Sequence, residues 1–343
     1  MKTYKNLWWR FISPENFELA AKKAVRSKKS KRSVQRFLKN RDFLLEKLRQ
    51  DIINGRYKTS PYKTFIIFEP KQRIIYNLPL YPDHILHHAL VNILGPIWQG
   101  FFIKDSYACI PGKGLHAASQ RTMEFVRRNK YVLQCDIRKF YPSIDHEIMM
   151  DILAEKIHDR RILNIMHDVV NSVGGNKNLP IGNLTSQWLG NVYLDRLDHF
   201  VKQDLHWPDY IRYCDDFCLY GNDKKVLKKM GATIEKFVNE KLNLTFSKCA
   251  VRSTRNGVAF IGYKHFATHV KLRKWTAKKI RRRLINIINH NDRSDHAVGQ
   301  IAAAFGWTKW ACSFNFRKQI VKLARQHSRK IGAFIKKRMF EKK

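Results

Sequence analysis

The chain has 343 residues and a formal charge of +38, with 66 lysines and arginines against 28 acidic residues. A hydrophobic content of 44% with 12% aromatics excludes a disordered basic tail. No apolar run approaches the ~18 residues that span a membrane, and no signal peptide is expected. The positive excess runs along the whole length, which predicts a polyanionic partner. Its binding should weaken steeply with salt, by a log–log slope of roughly −0.7 to −0.9 per phosphate contact.

Ser13-Pro14-Glu15-Asn16 has the form of a helix start, a capping serine followed by proline at the first helical position. The helix runs into Lys22–Arg32, where seven of eleven residues are basic. That density suits nucleic acid or a solvated joint. A second helical pattern extends from about Val34 to Ile53 and stops at Asn54-Gly55. Thr64–Phe68 and Arg73–Tyr76 are β-like runs joined by Glu69-Pro70-Lys71-Gln72, which predicts a hairpin. Ser106–Ala117 is glycine-rich and opens a helix, but its spacing is not that of a Walker loop.

The apolar run Tyr131–Cys135 ends in Asp136, which places this carboxylate at the end of a buried strand. Asp145 precedes a helical pattern through Ile148, Ile152, Leu153 and Ile157 and reads as that helix's N-cap. Leu189, Tyr193, Leu197 and Phe200 follow at helical spacing. Arg212–Tyr220 then reads as two short strands with Asp215 and Asp216 at the turn between them. Adjacent carboxylates repel, so the turn calls for a counter-charge, and a divalent cation is the candidate. Magnesium suits such oxygen ligands, taking one or two protein carboxylates and leaving its other positions to water and phosphate. A hairpin with a solvated acidic tip is the alternative. If both strands share a sheet, Asp136, Asp215 and Asp216 converge into a two-metal site for in-line phosphoryl displacement.

Lys224–Leu242 predicts a helix and Leu244–Lys248 a strand. From Lys271 to Leu284 eight of fourteen residues are basic. Ala277, Ile280, Leu284, Ile287 and Ile288 still mark an apolar stripe, so one face packs while the other offers charge. The segment from Ile301 to Trp310 adds apolar packing, and Arg325–Lys343 ends basic. The six cysteines, Cys109, Cys135, Cys214, Cys218, Cys249 and Cys312, form no Cys-x-x-Cys pair. A reduced, cytoplasmic setting is expected. His87-His88 and His265-x-x-x-His269 lack cysteine or carboxylate partners at zinc-ligand spacing and read as ordinary polar residues.

The blocks Tyr131–His146, Leu179–Gln187, Tyr213-Cys214-Asp215-Asp216 and Gly257–Tyr263, in that order, resemble the palm of a reverse transcriptase. The resemblance implies a mixed α/β (α+β) right-hand polymerase with fingers, a split-βαβ palm and a helical thumb. It implies a basic helical extension over residues 1–60, fingers over 61–130, a palm over 131–265 with about 145–180 partly an insertion, and a thumb over 266–343. Asp136, Asp215 and Asp216, with the backbone of Ile137, would hold two Mg2+ ions, with Mn2+ a possible substitute. Arg73 matches the family's triphosphate-contacting arginine, and Lys71 lies on the same hairpin; a solvated hairpin charge is the other reading of Arg73. Tyr141 matches the aromatic that excludes the ribose 2′-hydroxyl, although Phe140 and Tyr141 also suit a core. Lys248 would sit near the leaving pyrophosphate or be a solvated lysine. Phe260, Gly262 and Tyr263 resemble the primer grip, and Lys274 and Lys278 would follow the template and primer backbones.

Ile181-Gly182-Asn183-Leu184-Thr185-Ser186-Gln187 resembles the reverse transcriptases of diversity-generating retroelements. Most reverse transcriptases place Gln where Ile181 stands and Pro where Gln187 stands; the resemblance puts Ile181 and Gly182 at the nucleotide site, where the usual Gln packs against the nascent pair and restrains misinsertion, and an isoleucine that merely fills a gap is the other reading. The resemblance implies low-fidelity copying of a template-repeat RNA into adenine-mutagenised cDNA in a bacterial cytoplasm. Its implied partners are template RNA, a cDNA or other primer, dNTPs and a small helical oligomeric accessory variability protein. Nicking and priming are expected to come from elsewhere. Two other readings stand: another bacterial reverse transcriptase, from a retron, group II intron or phage-defence system, and a non-catalytic RNA-binding scaffold.

Overall fold

The computed structural model describes residues 3–68 and 72–340. The first elements are α1 (Trp8–Phe11), α2 (Pro14–Val25), α3 (Arg32–Lys39), α4 (Arg41–Ile53), β1 (Lys63–Ile67), β2 (Arg73–Asn77), α5 (Ile85–Gln99) and α6 (Leu115–Arg128). The middle of the chain forms β3 (Tyr131–Ile137), α7 (Phe140–Ser143), α8 (His146–Lys156), α9 (Arg160–Val170), α10 (Leu184–His199), β4 (Tyr210–Tyr213), β5 (Asp216–Gly221), α11 (Lys224–Leu242) and β6 (Phe246–Ser253). The remainder forms β7 (Val258–Phe260), β8 (Tyr263–His265), β9 (Val270–Leu272), α12 (Lys274–Asn289), α13 (Asp295–Trp310), α14 (Phe314–His327) and α15 (Arg329–Phe340). The sheets are the hairpin β1-β2, a four-stranded sheet of order β4-β5-β3-β6, and the meander β7-β8-β9.

The chain divides into two compact units. The first comprises Met1–Pro111, Cys135–Pro208 and Met230–Cys249, and the second Gly112–Gln134, Asp209–Lys229 and Ala250–Lys343. Both β3 and β6 pass from one unit into the other.

In the first unit the expected helix start is present: the Ser13 hydroxyl accepts from the Asn16 N–H at 3.2 Å, with Pro14 at the first helical position. The Asn16 side chain then donates to Phe11 O and Ala89 O, tying α2 to α5. The single helix expected over Val34–Ile53 is in fact two, α3 and α4, broken at Asn40. Asn40 leaves helical geometry at φ −122°, and its amide is among the side chains that compete with the helical backbone. Asp145 caps α8 as expected, accepting from Glu147 N and Ile148 N at 3.1 and 3.3 Å. Leu189, Tyr193 and Leu197 of α10 are buried.

In the second unit α12 turns Ile280, Leu284, Ile287 and Ile288 into a core shared with Ile301, Ile320, Ile331 and Ile335. Each such aliphatic contributes roughly 1.5–3 kcal/mol when fully buried. The Ser119 hydroxyl links α6 to the meander and to α13: it accepts from Trp310 Nε1 and meets His265 Nε2, both at 2.8 Å. His265 Nδ1 meets Val258 O at 3.2 Å.

Each unit therefore carries a histidine that folding keeps neutral. Burial pushes His87 down to about 3 and His265 down to about 4. The unfolded chain takes up these protons near pH 6.5, before the folded chain does, so stability is complete above that pH and falls on acidification toward the folded values. Between pH 7.5 and pH 5 each of these two side chains should account for a loss of about 2 kcal/mol. In the first unit His88, also pushed down to about 4 by burial, adds to the fall, and His199, raised to about 9 by its hydrogen bond to Asp195, opposes it. Urea denaturation at the two pH values checks this, and His265→Gln should lower the midpoint at pH 7.5 while reducing its fall on acidification.

Candidate nucleic-acid polymerisation site

In the first unit β3 delivers Asp136 half-buried at its end, where the Ser247 hydroxyl of β6 donates to its carboxylate. The next residues are held by the Arg138 N–H, which donates to Thr245 O at 2.8 Å. The Ile137 side chain is buried, so this residue can offer a ligand only its backbone. Behind Asp136 the thiols of Cys135 and Cys249 lie 3.2 Å apart, and none of the six cysteines is in a disulfide.

Lys139, at φ +43°, turns the chain into α7. Phe140 is buried, whereas Tyr141 is half-buried and its carbonyl accepts from Leu179 N at 2.9 Å. Both rings lie against Gly190 of α10, where a Cβ would stand 3.1 Å from the Phe140 ring and 3.3 Å from that of Tyr141. Phe140 is thus the core aromatic of the pair, and Tyr141 keeps an accessible face.

The β1-β2 hairpin forms as expected, with Ile67 opposite Arg73. Arg73 is exposed at the start of β2, as are Phe65, Ile66 and Ile74 along the hairpin. Lys71 lies outside the described residues. The hairpin is fastened to the Ile181–Gly182 turn: the Tyr76 N–H donates to Ile181 O at 2.8 Å. Gly182 has φ +131°, and a Cβ there would come within 2.3 Å of Tyr76 O, so only glycine lets the two backbones approach this closely. Ile181 is half-buried, and Gln187 and Lys248 are exposed.

In the second unit Tyr213 pairs with Asp216, so the turn is the two residues Cys214 and Asp215, and Asp216 is already the first residue of β5. Cys214 has φ +59°. Beneath it Arg212 is fully buried, its guanidinium donating to Cys214 O at 3.0 Å. The sequence supplied a divalent cation as the turn's counter-charge, whereas this unit also places a protein cation there. A lone Arg in an aromatic strand gave no signal of that role.

The Phe260-Ile261-Gly262-Tyr263 block is a two-residue hairpin turn with φ +45° at Ile261 and +83° at Gly262. Positive φ at both central residues matches the twist of the flanking strands. A β-branched residue is an outlier there, at a cost on the order of 1–3 kcal/mol. Trp307 packs so closely on Gly262 that a Cβ would lie 2.6 Å from the indole, and Gly262 O accepts from Arg273 N and the Thr276 hydroxyl, each at 3.2 Å. Lys274 and Lys278 are exposed on α12. Lys274 lines a cleft of about 530 Å³ with Arg252, Lys264 and Arg273, three cations that the sequence did not single out.

A model of the family described as reverse transcriptase (RNA-dependent DNA polymerase) matches residues 62–265, more than half of the chain. The chain belongs to the reverse transcriptase family. This reverse transcriptase is 22% identical over 275 residues to Protein YkfC of Escherichia coli, covering 64% of the chain and 70% of that protein. It is 23% identical over 170 residues to the group II intron-encoded protein LtrA of Lactococcus lactis, covering 46% of the chain but 28% of LtrA. Its fold resembles telomerase from Candida albicans at a TM-score of 0.50 and 12% identity, over 85% of this chain and 59% of that one. Among the described residues, no helix is long and apolar enough to cross a membrane.

The family's use of Mg2+ fits the donor chemistry here: Asp136 and Asp215 are half-buried and Asp216 is exposed. Among the described residues, no three His, Cys, Asp or Glu side chains gather to hold a metal by themselves. That is compatible with magnesium, which draws on one or two carboxylates and takes the rest from water and substrate phosphate.

Proposed function

We propose that this reverse transcriptase copies a template-repeat RNA into adenine-mutagenised cDNA that diversifies a target gene, as the enzymes of diversity-generating retroelements do. The observation that supports this is Ile181 at the turn fastened to β2. A glutamine side chain there could hydrogen-bond at the nascent pair, whereas isoleucine offers only apolar surface. In this reading Asp136, Asp215 and Asp216, with the Ile137 carbonyl, would hold the two magnesium ions, Asp136 near the end of its strand in the first unit and Asp215 and Asp216 at the hairpin of the second. The bound ions would lower the pKa of the primer 3′-hydroxyl and neutralise the triphosphate. Arg73 clamps phosphate through its guanidinium fork, Tyr141 screens the sugar, and Phe260, Gly262 and Tyr263 hold the primer end. Lys274 and Lys278 track the nucleic-acid backbone. Residues 61–130, 131–265 and 266–343 serve as fingers, palm and thumb, behind a basic extension over 1–60, and a small oligomeric accessory protein completes the assembly in the cell.

Sequencing cDNA made from a defined RNA tests this reading: substitutions should concentrate opposite template adenines. Ile181→Gln should lower that misincorporation several-fold, and an unchanged error spectrum would overturn the role of Ile181. The similarity to LtrA favours a second reading, a group II intron-type reverse transcriptase. Errors spread evenly over the four template bases would support it instead.

A further inference from the structure

The residues that fasten the hairpin to the Gly182 turn form a relay whose direction is fixed by chemistry. Asn183, buried at the start of α10, donates from Nδ2 to Tyr62 Oη at 2.7 Å. The Ser172 hydroxyl donates to Val169 O at 2.7 Å, which commits its only proton. The 2.8 Å contact between Tyr62 Oη and Ser172 Oγ must then have Tyr62 as donor. Proton by proton, the relay runs from the Asn183 amide through Tyr62 and Ser172 to a helix carbonyl at the end of α9. Tyr62 immediately precedes β1, and its ring meets that of Tyr76 edge-on at 5.5 Å. Tyr76 in turn accepts from Asn178 Nδ2 at 3.2 Å and donates its N–H to Ile181 O. Both strands of the hairpin are thereby held to residues flanking Ile181 and Gly182.

We propose that Tyr62 and Asn183 are positioning residues for nucleotide selection: their relay fixes how the β1-β2 hairpin presents Arg73 beside the Ile181–Gly182 turn. The inference rests on the reading that Arg73 and Ile181 meet the incoming nucleotide. Neither Tyr62 nor Asn183 contacts substrate in this scheme. They act by removing the freedom of a two-stranded hairpin, which is marginal by itself in water.

Single-nucleotide incorporation on a defined RNA template and DNA primer with Mg2+ tests this, using Tyr62→Phe, Asn183→Ala, their combination, Ser172→Ala and Arg73→Ala. Tyr62→Phe removes both hydrogen bonds of the hydroxyl and should raise the KM for dNTP by about 3- to 10-fold, with kcat within about twofold. The double variant should be no worse than the more damaging single one, because both break the same relay. Ser172→Ala interrupts it from the far end without touching the hairpin or the turn, and should reproduce the KM shift even if Asn183→Ala does not fold. If KM rises in Arg73→Ala but not in the relay variants, the inference fails while the nucleotide-site reading stands. If Arg73→Ala also leaves KM unchanged, that reading itself fails. A fall in kcat that tracks melting temperature at constant KM would assign the relay to structure alone and overturn the proposal.

Discussion

Asp215→Ala is expected to abolish DNA synthesis, by at least roughly 10³-fold, while RNA binding stays within about threefold. The magnitude follows from removing a carboxylate that would help hold charge-stabilising metal at the reacting phosphate, where each such electrostatic contribution is worth several kcal/mol. The selectivity follows from local structure. Asp215 occupies the second position of a two-residue turn whose first carbonyl is held by the buried Arg212 guanidinium. The hairpin therefore keeps its anchor when the carboxylate is lost. RNA affinity rests on a charge excess spread along the chain, of which one acidic side chain is a small part. Primer extension and filter binding over a salt series measure the two effects separately, and retained synthesis would refute the assignment.

The second large effect is expected at Gly182. An alanine there must adopt φ +131°, at a cost on the order of 1–3 kcal/mol, and its Cβ would collide with Tyr76 O at 2.3 Å. The obstacle is a backbone carbonyl in a paired strand, so relief requires β2 to move, and Arg73 with it. Gly182→Ala should cut synthesis more than tenfold and lower the melting temperature by several degrees. Gly174→Ala is the matched comparison: its φ is +77° but a Cβ there meets nothing within 4 Å. It should show a stability loss alone, and equal losses of synthesis in both variants would sink the argument for Gly182.

Signals that act over three or four residues are legible in the sequence. Ser13 with Pro14, and Asp145 ahead of its apolar run, announce helix starts because a capping oxygen must lie beside the amides it satisfies. The aspartate-bearing strand and the acidic hairpin were legible for the same reason, through apolar runs closed by carboxylates. The break at Asn40 was not, since a polar residue between basic neighbours fits a helix surface as well as a helix end. Contacts distant in sequence were the least legible. Asn183 and Tyr62 lie 121 positions apart, and neither stands out from other asparagines and tyrosines. The restraint on Gly182 comes from Tyr76, and the buried setting of Arg212 depends on how β4 is covered.

Arg212 has a consequence for how the enzyme should respond to alkali. A guanidinium keeps its proton throughout the range in which proteins remain folded. The carbonyl at the head of the acidic hairpin thus rests on a permanent cation rather than one that hydroxide could discharge. Any decline of synthesis at high pH would have to originate in groups other than this support.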